Sequence, residues 1–123
     1  MKLGYLLVLL LFLSACDNAE TIDSSDLVNR NGLFYKKSTN VPFTGKTSGV
    51  NQGTFKDGKG HGLFEMYHKN GRLLIKRTLK NGKKHGPFED YYQNGQLWKK
   101  GTFKDGKLVN KVCFTKTGAT TPC

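Results

Sequence analysis

The chain has 123 residues, of which 20 are Lys or Arg, 9 are Asp or Glu and 15 are Gly. This length fits one small domain and excludes a large α/β enzyme. With 37% apolar residues the chain is too hydrophobic for a tail held open by its charge, although it is poor for a thick core.

The chain begins with one basic residue and an apolar run. Lys2 precedes an uncharged, leucine-rich segment at 3–15. As a helix this segment would span about 20 Å, whereas a hydrocarbon core is about 30 Å thick, so a secretory signal explains it better than a short membrane span. We therefore predict a signal peptide over 1–15.

The residues that end this run carry a more specific signal. Leu13-Ser14-Ala15-Cys16 resembles the bacterial lipoprotein box. The resemblance implies that Cys16 becomes the mature N-terminus and carries acyl chains such as palmitate, which anchor the protein to a membrane. Asp17 resembles the inner-membrane retention signal of enteric-type bacteria. The implied location is the bacterial cell envelope, facing the periplasm or the exterior, with the inner membrane favoured.

Charge is distributed unevenly after the anchor. Residues 17–26 hold four carboxylates and no basic residue, so we predict a flexible acidic tether over 16–30. From residue 27 onward there are 19 Lys or Arg and 5 Asp or Glu. An exported basic domain is expected to meet acidic proteins, anionic lipid or envelope glycan, and not nucleic acid. A solvated sheet face with lysines for solubility explains the same charge.

Tandem repeats follow the tether. A degenerate first unit covers 31–52, and units with a period of 24 cover 53–112. The segment 55–59 (Phe-Lys-Asp-Gly-Lys) returns at 79–83 as Leu-Lys-Asn-Gly-Lys and at 103–107 unchanged. Asn-Gly or Asp-Gly pairs at 57–58, 70–71, 81–82, 94–95 and 105–106 predict type I′ hairpin turns. We predict an all-β fold, an elongated single-layer antiparallel meander of tandem hairpins.

Segments between the turns have strand length, such as Leu73 to Lys80 and Leu97 to Lys104. In the second of these, alternation predicts Leu97 and Phe103 on one face and Trp98 on the other. The glycine corners at Gly62 and Gly86 predict bulges of unknown position.

These motifs resemble the MORN repeat, in the bacterial variant with the pattern turn-Gly-Lys-x-His-Gly-x-aromatic, from about Gly53 to Lys107. The resemblance implies a twisted antiparallel sheet that serves as a scaffold or as a lipid- or protein-contacting module. Many bacterial members carry only an antitoxin-like label. The last unit diverges, because Leu108-Val109-Asn110 stands in place of Lys-His-Gly, and this suggests a terminal cap.

Two cysteines remain once Cys16 carries lipid. An export signal permits a disulfide between Cys113 and Cys123, which would fasten the C-terminal tail, 113–123. Such a short loop would stabilise the fold by about 2–3 kcal/mol.

Residues that could carry chemistry are few. His61 and His85 occupy equivalent corners about 10 Å apart, too far to share a metal, and each is better explained as a partner of the turn backbone. Glu65 and Glu89 lie along one face without a cleft between them. The sequence lacks a G-x-S-x-G motif. We expect no catalytic residue, metal, cofactor or small-molecule substrate.

Three functions remain open. The first is a lipid-anchored interaction module that binds a protein, with an antitoxin or immunity role as a special case. The second is a basic sheet that binds anionic phospholipid or glycan. The third is a purely structural envelope protein. Tyr92 and Trp98 replace His68 and Leu74 of the preceding repeat, which favours a contact role for them. The candidate partner-binding residues are Tyr92, Trp98, Lys76, Arg77, Lys83, Lys84, Lys99 and Lys100.

Overall fold

The computed structural model describes residues 19–123. Its strands are β1 (Thr21–Asp23), β2 (Leu27–Arg30), β3 (Leu33–Lys36), β4 (Gly45–Ser48), β5 (Asn51–Lys56), β6 (Lys59–Tyr67), β7 (Leu73–Lys80), β8 (Lys83–Tyr91), β9 (Leu97–Lys104), β10 (Lys107–Phe114) and β11 (Thr120–Thr121). One 3-10 turn, Ser24–Asp26, lies between β1 and β2. The predicted strands at β7 and β9 have the bounds that the turn spacing indicates.

The strands form one large sheet and one small one. Nine strands run in the order β1-β4-β5-β6-β7-β8-β9-β10-β11, and β2 pairs with β3 alone. From β4 to β11 each strand pairs with its successor in antiparallel fashion, because each connection is a short hairpin. The strand β1 pairs with β4 in parallel. This arrangement confirms the predicted all-β fold of tandem hairpins.

Two kinds of turn alternate along the sheet. At 57–58, 81–82 and 105–106 both residues have positive φ, as type I′ requires. At 70–71 and 94–95 only the glycine does, and Gly71 donates its N–H to the carbonyl of His68 at 2.9 Å. These two turns are three-residue loops that end in a left-handed glycine, so the type I′ prediction was wrong for them.

The predicted bulges lie at the glycine corners. Phe55 opposes Gly60 while Gly53 opposes Phe64, so β6 carries two extra residues around Gly62, whose φ is +92°. The same shift occurs in β8 around Gly86. In the divergent last unit, β10 carries only one extra residue, at 109.

Each face of the sheet has its own chemistry. Directly opposed residues share a face, so the row Phe64, Arg77, Phe88 and Gly101 defines what we call the aromatic face. The row Glu65, Lys76, Glu89 and Lys100 defines the charged face. Phe103 opposes Gly86 on the aromatic face, but Leu97 opposes Tyr91 on the charged face. The predicted common face of Leu97 and Phe103 was therefore wrong, because a one-residue bulge lies between them.

The N-terminal part of the aromatic face holds the main core. Ile22, Phe43 and Phe55 are buried there, with Leu27 and Phe34 packed against them. The rings of Phe34 and Phe55 lie 5.2 Å apart, so the β2–β3 hairpin covers this end of the sheet.

The segment expected to be a flexible tether over 16–30 is ordered from Thr21. Ile22 is 8% exposed, and β1 extends the sheet beside β4. Burial of one isoleucine side chain stabilises this docking by about 2 kcal/mol. This gain offsets part of the conformational entropy that the segment loses when it becomes ordered.

Candidate functional site

An exposed group of aromatic and basic side chains lies beside the turn at 94–95. The rings of Tyr92 and Trp98 are 5.8 Å apart and tilted by 37°. The Nζ atom of Lys99 lies 4.3 Å from the Trp98 ring centre, and that of Lys116 lies 5.9 Å from the Tyr92 ring centre. We call these four residues the tryptophan cluster. Trp98 is 43% exposed, so the cluster offers a large apolar surface between two cations.

The local fold explains why Trp98 stands out. Asp90 opposes Lys99 while Tyr91 opposes Leu97, which makes Trp98 the extra residue of a bulge in β9. The Tyr92 hydroxyl donates to the carbonyl of Phe114 at 2.9 Å and so holds its ring in place. The preceding repeat has His68 and Leu74 at these positions, and the cluster is therefore specific to this repeat.

Arg77 lies in a different environment. Its guanidinium pairs with Asp90 and lies 4.8 Å from the centre of the Phe88 ring, and the Arg77 side chain is 13% exposed. Lys99 approaches the same Asp90 at 3.5 Å. Arg77 therefore belongs to a buried charge cluster on the aromatic face, where it supports the sheet.

The remaining predicted cations are distributed over both faces. Lys76 and Lys100 lie on the charged face, one residue away from Arg77 and Lys99 on the aromatic face. Lys84 extends over the Phe103 ring at 5.0 Å, and Lys83 is exposed at the start of β8. The structure thus brings Tyr92, Trp98 and Lys99 together. Arg77 is linked to Lys99 through Asp90 and not through an aromatic ring of this group.

Several hydrogen bonds were not anticipated from the sequence. The Tyr67 hydroxyl donates to Glu65 at 3.0 Å, and the Tyr91 hydroxyl donates to Glu89. Burial, together with the Glu89 hydrogen bond and charge, raises the pKa of Tyr91 to about 12. The hydrogen bond to Glu65 is the main reason that the pKa of Tyr67 is raised. The sequence signal for these hydrogen bonds was the spacing Glu-x-Tyr, because residues two apart in a strand lie on the same face.

One of the two corner histidines, His85, has the predicted hydrogen bond to the turn backbone. Asp105 donates its backbone N–H to Nδ1 of His85 at 3.3 Å. Within residues 19–123 no three His, Cys, Asp or Glu side chains cluster in a way that could hold a metal ion. The described chain also contains no helix long and apolar enough to cross a membrane.

Covalent modifications are predicted at both ends of the chain: a disulfide near the C-terminus and lipidation near the N-terminus. In the structure Cys113 and Cys123 are bonded to each other with Cα atoms 5.3 Å apart, so this pair is positioned for the predicted disulfide. Cys113 also opposes Thr121, which places the bond beside the β10–β11 ladder. The predicted signal peptide over 1–15, the predicted lipidation site Cys16 and the predicted retention residue Asp17 lie outside the described residues.

The chain was compared with known proteins in three ways. No curated protein and no solved structure matches it. The family model for the MORN repeat variant matches residues 60–81 and 84–105. These two segments contain the bulged strands β6 and β8 except for the first residue of each, the turns that follow them and the strands β7 and β9. The centre of the sheet is therefore built from two segments that match the MORN repeat variant.

Proposed function

We propose that this protein is a lipid-anchored envelope protein that acts as a non-catalytic interaction module, with the tryptophan cluster as its protein-binding surface. The observation that carries the proposal is the exposed Trp98 beside Tyr92, flanked by Lys99 and Lys116. Tryptophan and tyrosine are enriched among the residues that dominate binding energy. The two MORN-like segments support a binding or scaffold role. An antitoxin or immunity role would be one case of such binding.

The charge distribution favours a protein over a lipid or glycan surface. Neighbouring cations such as Lys76 and Arg77 point to opposite faces, and Arg77 is paired with Asp90. A membrane surface would engage one face at a time and so meet only part of the positive charge. Binding of anionic phospholipid or envelope glycan is the competing function, and it requires retention that falls steeply with salt.

The lipid anchor would hold the sheet close to the bilayer. Because β1 begins at Thr21, only five residue steps separate it from Cys16. Five steps of extended chain span at most about 18 Å. The domain would therefore remain near the membrane surface, in the envelope and, if Asp17 acts as a retention signal, at the inner membrane.

The test uses the full chain, tagged and solubilised from envelopes of its own organism, at low and high salt. We expect one stoichiometric protein partner that survives high salt. Trp98→Leu, which restores the residue type of the preceding repeat, should weaken binding by about 30-fold, in line with a tryptophan contact worth about 2 kcal/mol. The matched control is Val41→Ala, because Val41 is a 73% exposed side chain elsewhere. Equal binding by both variants would overturn the assignment of the surface.

The anchor is tested separately. In Cys16→Ser the chain should lose its lipid and stay uncleaved, whereas the wild-type chain should begin at a lipidated Cys16 by mass spectrometry. A wild-type chain without lipid on Cys16 would contradict the anchor.

A further inference from the structure

The charged face carries a row of alternating charge. Glu65, Lys76, Glu89 and Lys100 directly oppose one another across β6, β7, β8 and β9. Adjacent strands lie about 4.8 Å apart, so the sign of the charge changes at that spacing along the sheet. Among residues 19–123, the ion pairs involve other side chains, and none joins two members of this row.

The two carboxylates of the row are held in place. Tyr67 donates to Glu65 at 3.0 Å, and Tyr91 donates to Glu89. Both phenols have a raised pKa and remain donors at neutral pH. Groups that are already oriented lose less conformational freedom when a partner binds.

Apolar side chains flank the row on the same face. Leu63 is 47% exposed and Val112 is 44% exposed. Two open depressions of about 200 and 240 Å³ lie on either side of Pro87. The β2–β3 hairpin packs on the opposite, aromatic face, through Phe34 and Phe55. The charged face of this sheet thus combines exposed apolar groups with oriented charges and has no covering layer among the described residues.

We propose that the charged face binds a second copy of the same chain, face to face, around a two-fold axis that passes between Lys76 and Glu89. Read in reverse, the row becomes Lys100, Glu89, Lys76 and Glu65, so the two-fold places every carboxylate opposite an ammonium of the other copy. An interface between identical copies must be self-complementary in this way. Two sheets packed face to face lie about 10 Å apart, a distance that lysine and glutamate side chains can span together.

The size of the face sets the strength of the association. The two-fold axis lies between β7 and β8 and so pairs β5 of one copy with β10 of the other. Six strands at about 4.8 Å and three side chains along each strand give about 600 Å² per copy, or about 1,200 Å² in total. This lies at the lower end of specific interfaces, and we expect a reversible dimer. The tryptophan cluster lies outside the row, so this dimer does not depend on the proposed function.

The test uses two differently tagged full-length chains that are expressed together and solubilised in mild detergent. One tag is captured, and the amount of the other chain is measured. Lys76→Glu alone places two carboxylates opposite each other at two positions of the dimer, and Glu89→Lys alone does the same with two ammonium groups. Each single variant should lower co-capture with itself by about tenfold. A Lys76→Glu chain expressed with a Glu89→Lys chain regains complementary charge at every pair, and co-capture should return to near the wild-type level.

The control is Lys69→Glu, a charge reversal at the exposed turn between β6 and β7. It should leave co-capture unchanged. Circular dichroism should show that each variant keeps its β structure. Absence of co-capture between wild-type chains, or single variants that still associate like wild type, would overturn the proposal. Failure of the mixed pair to recover, with both variants folded, would overturn the two-fold arrangement.

Discussion

Asp90→Ala should destabilise the protein more than removal of any exposed carboxylate. The Asp90 side chain is 7% exposed, pairs with Arg77, which is 13% exposed, and lies 3.5 Å from Nζ of Lys99. Removing one partner of a buried ion pair costs about 3–5 kcal/mol, because the other charge is left without compensation. Lys99 is 31% exposed and can turn to solvent, so only Arg77 would be left as a buried charge without a partner.

The expected loss lies below the full range. Arg77 would keep a long hydrogen bond to the carbonyl of Glu89, at 3.4 Å, and its position over the Phe88 ring at 4.8 Å. We therefore expect Asp90→Ala to lower the free energy of unfolding by about 2–3 kcal/mol. Urea unfolding measures this value from the midpoint, provided that the denaturant slope is unchanged.

A double variant identifies the cause. Arg77→Met with Asp90→Leu replaces the pair by apolar side chains of similar size and should return stability to within about 1 kcal/mol of wild type. Asp26→Ala, at a carboxylate without an ion pair among the described residues, should change stability by less than about 0.5 kcal/mol. A loss below about 0.5 kcal/mol for Asp90→Ala, or a double variant as unstable as the single one, would refute the reasoning.

Three further predictions concern stability. The folded state raises the pKa of Tyr91 from 10.0 to about 12, so the stabilisation by its neutral form is fully present below pH 10 and is lost as the pH rises through 12. Tyr91→Phe should flatten the fall in melting temperature between about pH 10 and 12, and an unchanged slope would contradict this role of Tyr91. Cys113→Ser with Cys123→Ser should cost about 2–3 kcal/mol in urea unfolding, and no change in midpoint would show that the bond does not form. Gly101→Ala places a Cβ against the backbone carbonyl oxygen of Asn110 and 2.6 Å from the Phe88 ring, and should cost more than about 2 kcal/mol. Gly106→Ala, in open space at a φ of +81°, should cost about 1 kcal/mol, and equal losses in thermal unfolding would contradict the close approach at Gly101.

The turn dipeptides made most of the strand order predictable. Asn-Gly and Asp-Gly pairs force the chain to reverse locally, and reversals at fixed spacing leave no alternative to an antiparallel meander. The bounds of β7 and β9 follow from that spacing alone. Repeat comparison also identified Tyr92 and Trp98 as exceptions, and the structure places their rings 5.8 Å apart.

The assignment of side chains to faces was not predictable to the same degree. Side chains alternate with a period of two, so a bulge of one residue exchanges the two faces of the strand beyond it. Periodicity does not reveal where such a residue lies, and Leu97 was therefore placed on the wrong face. The burial of Arg77 was not predicted either. Its partner Asp90 lies on the neighbouring strand and is adjacent to it only in the folded sheet.

The sequence by itself determined the all-β repeat architecture, the positions of the hairpins and the cysteine pair, because turn chemistry and loop closure are local properties of the chain. Only the tertiary structure decided which cations are exposed, which carboxylates are held by tyrosines, and that Thr21–Asp23 forms a strand beside β4. These features depend on register across strands and on burial against distant residues such as Phe55. Register and burial are set by how the whole sheet packs, and no segment encodes them alone.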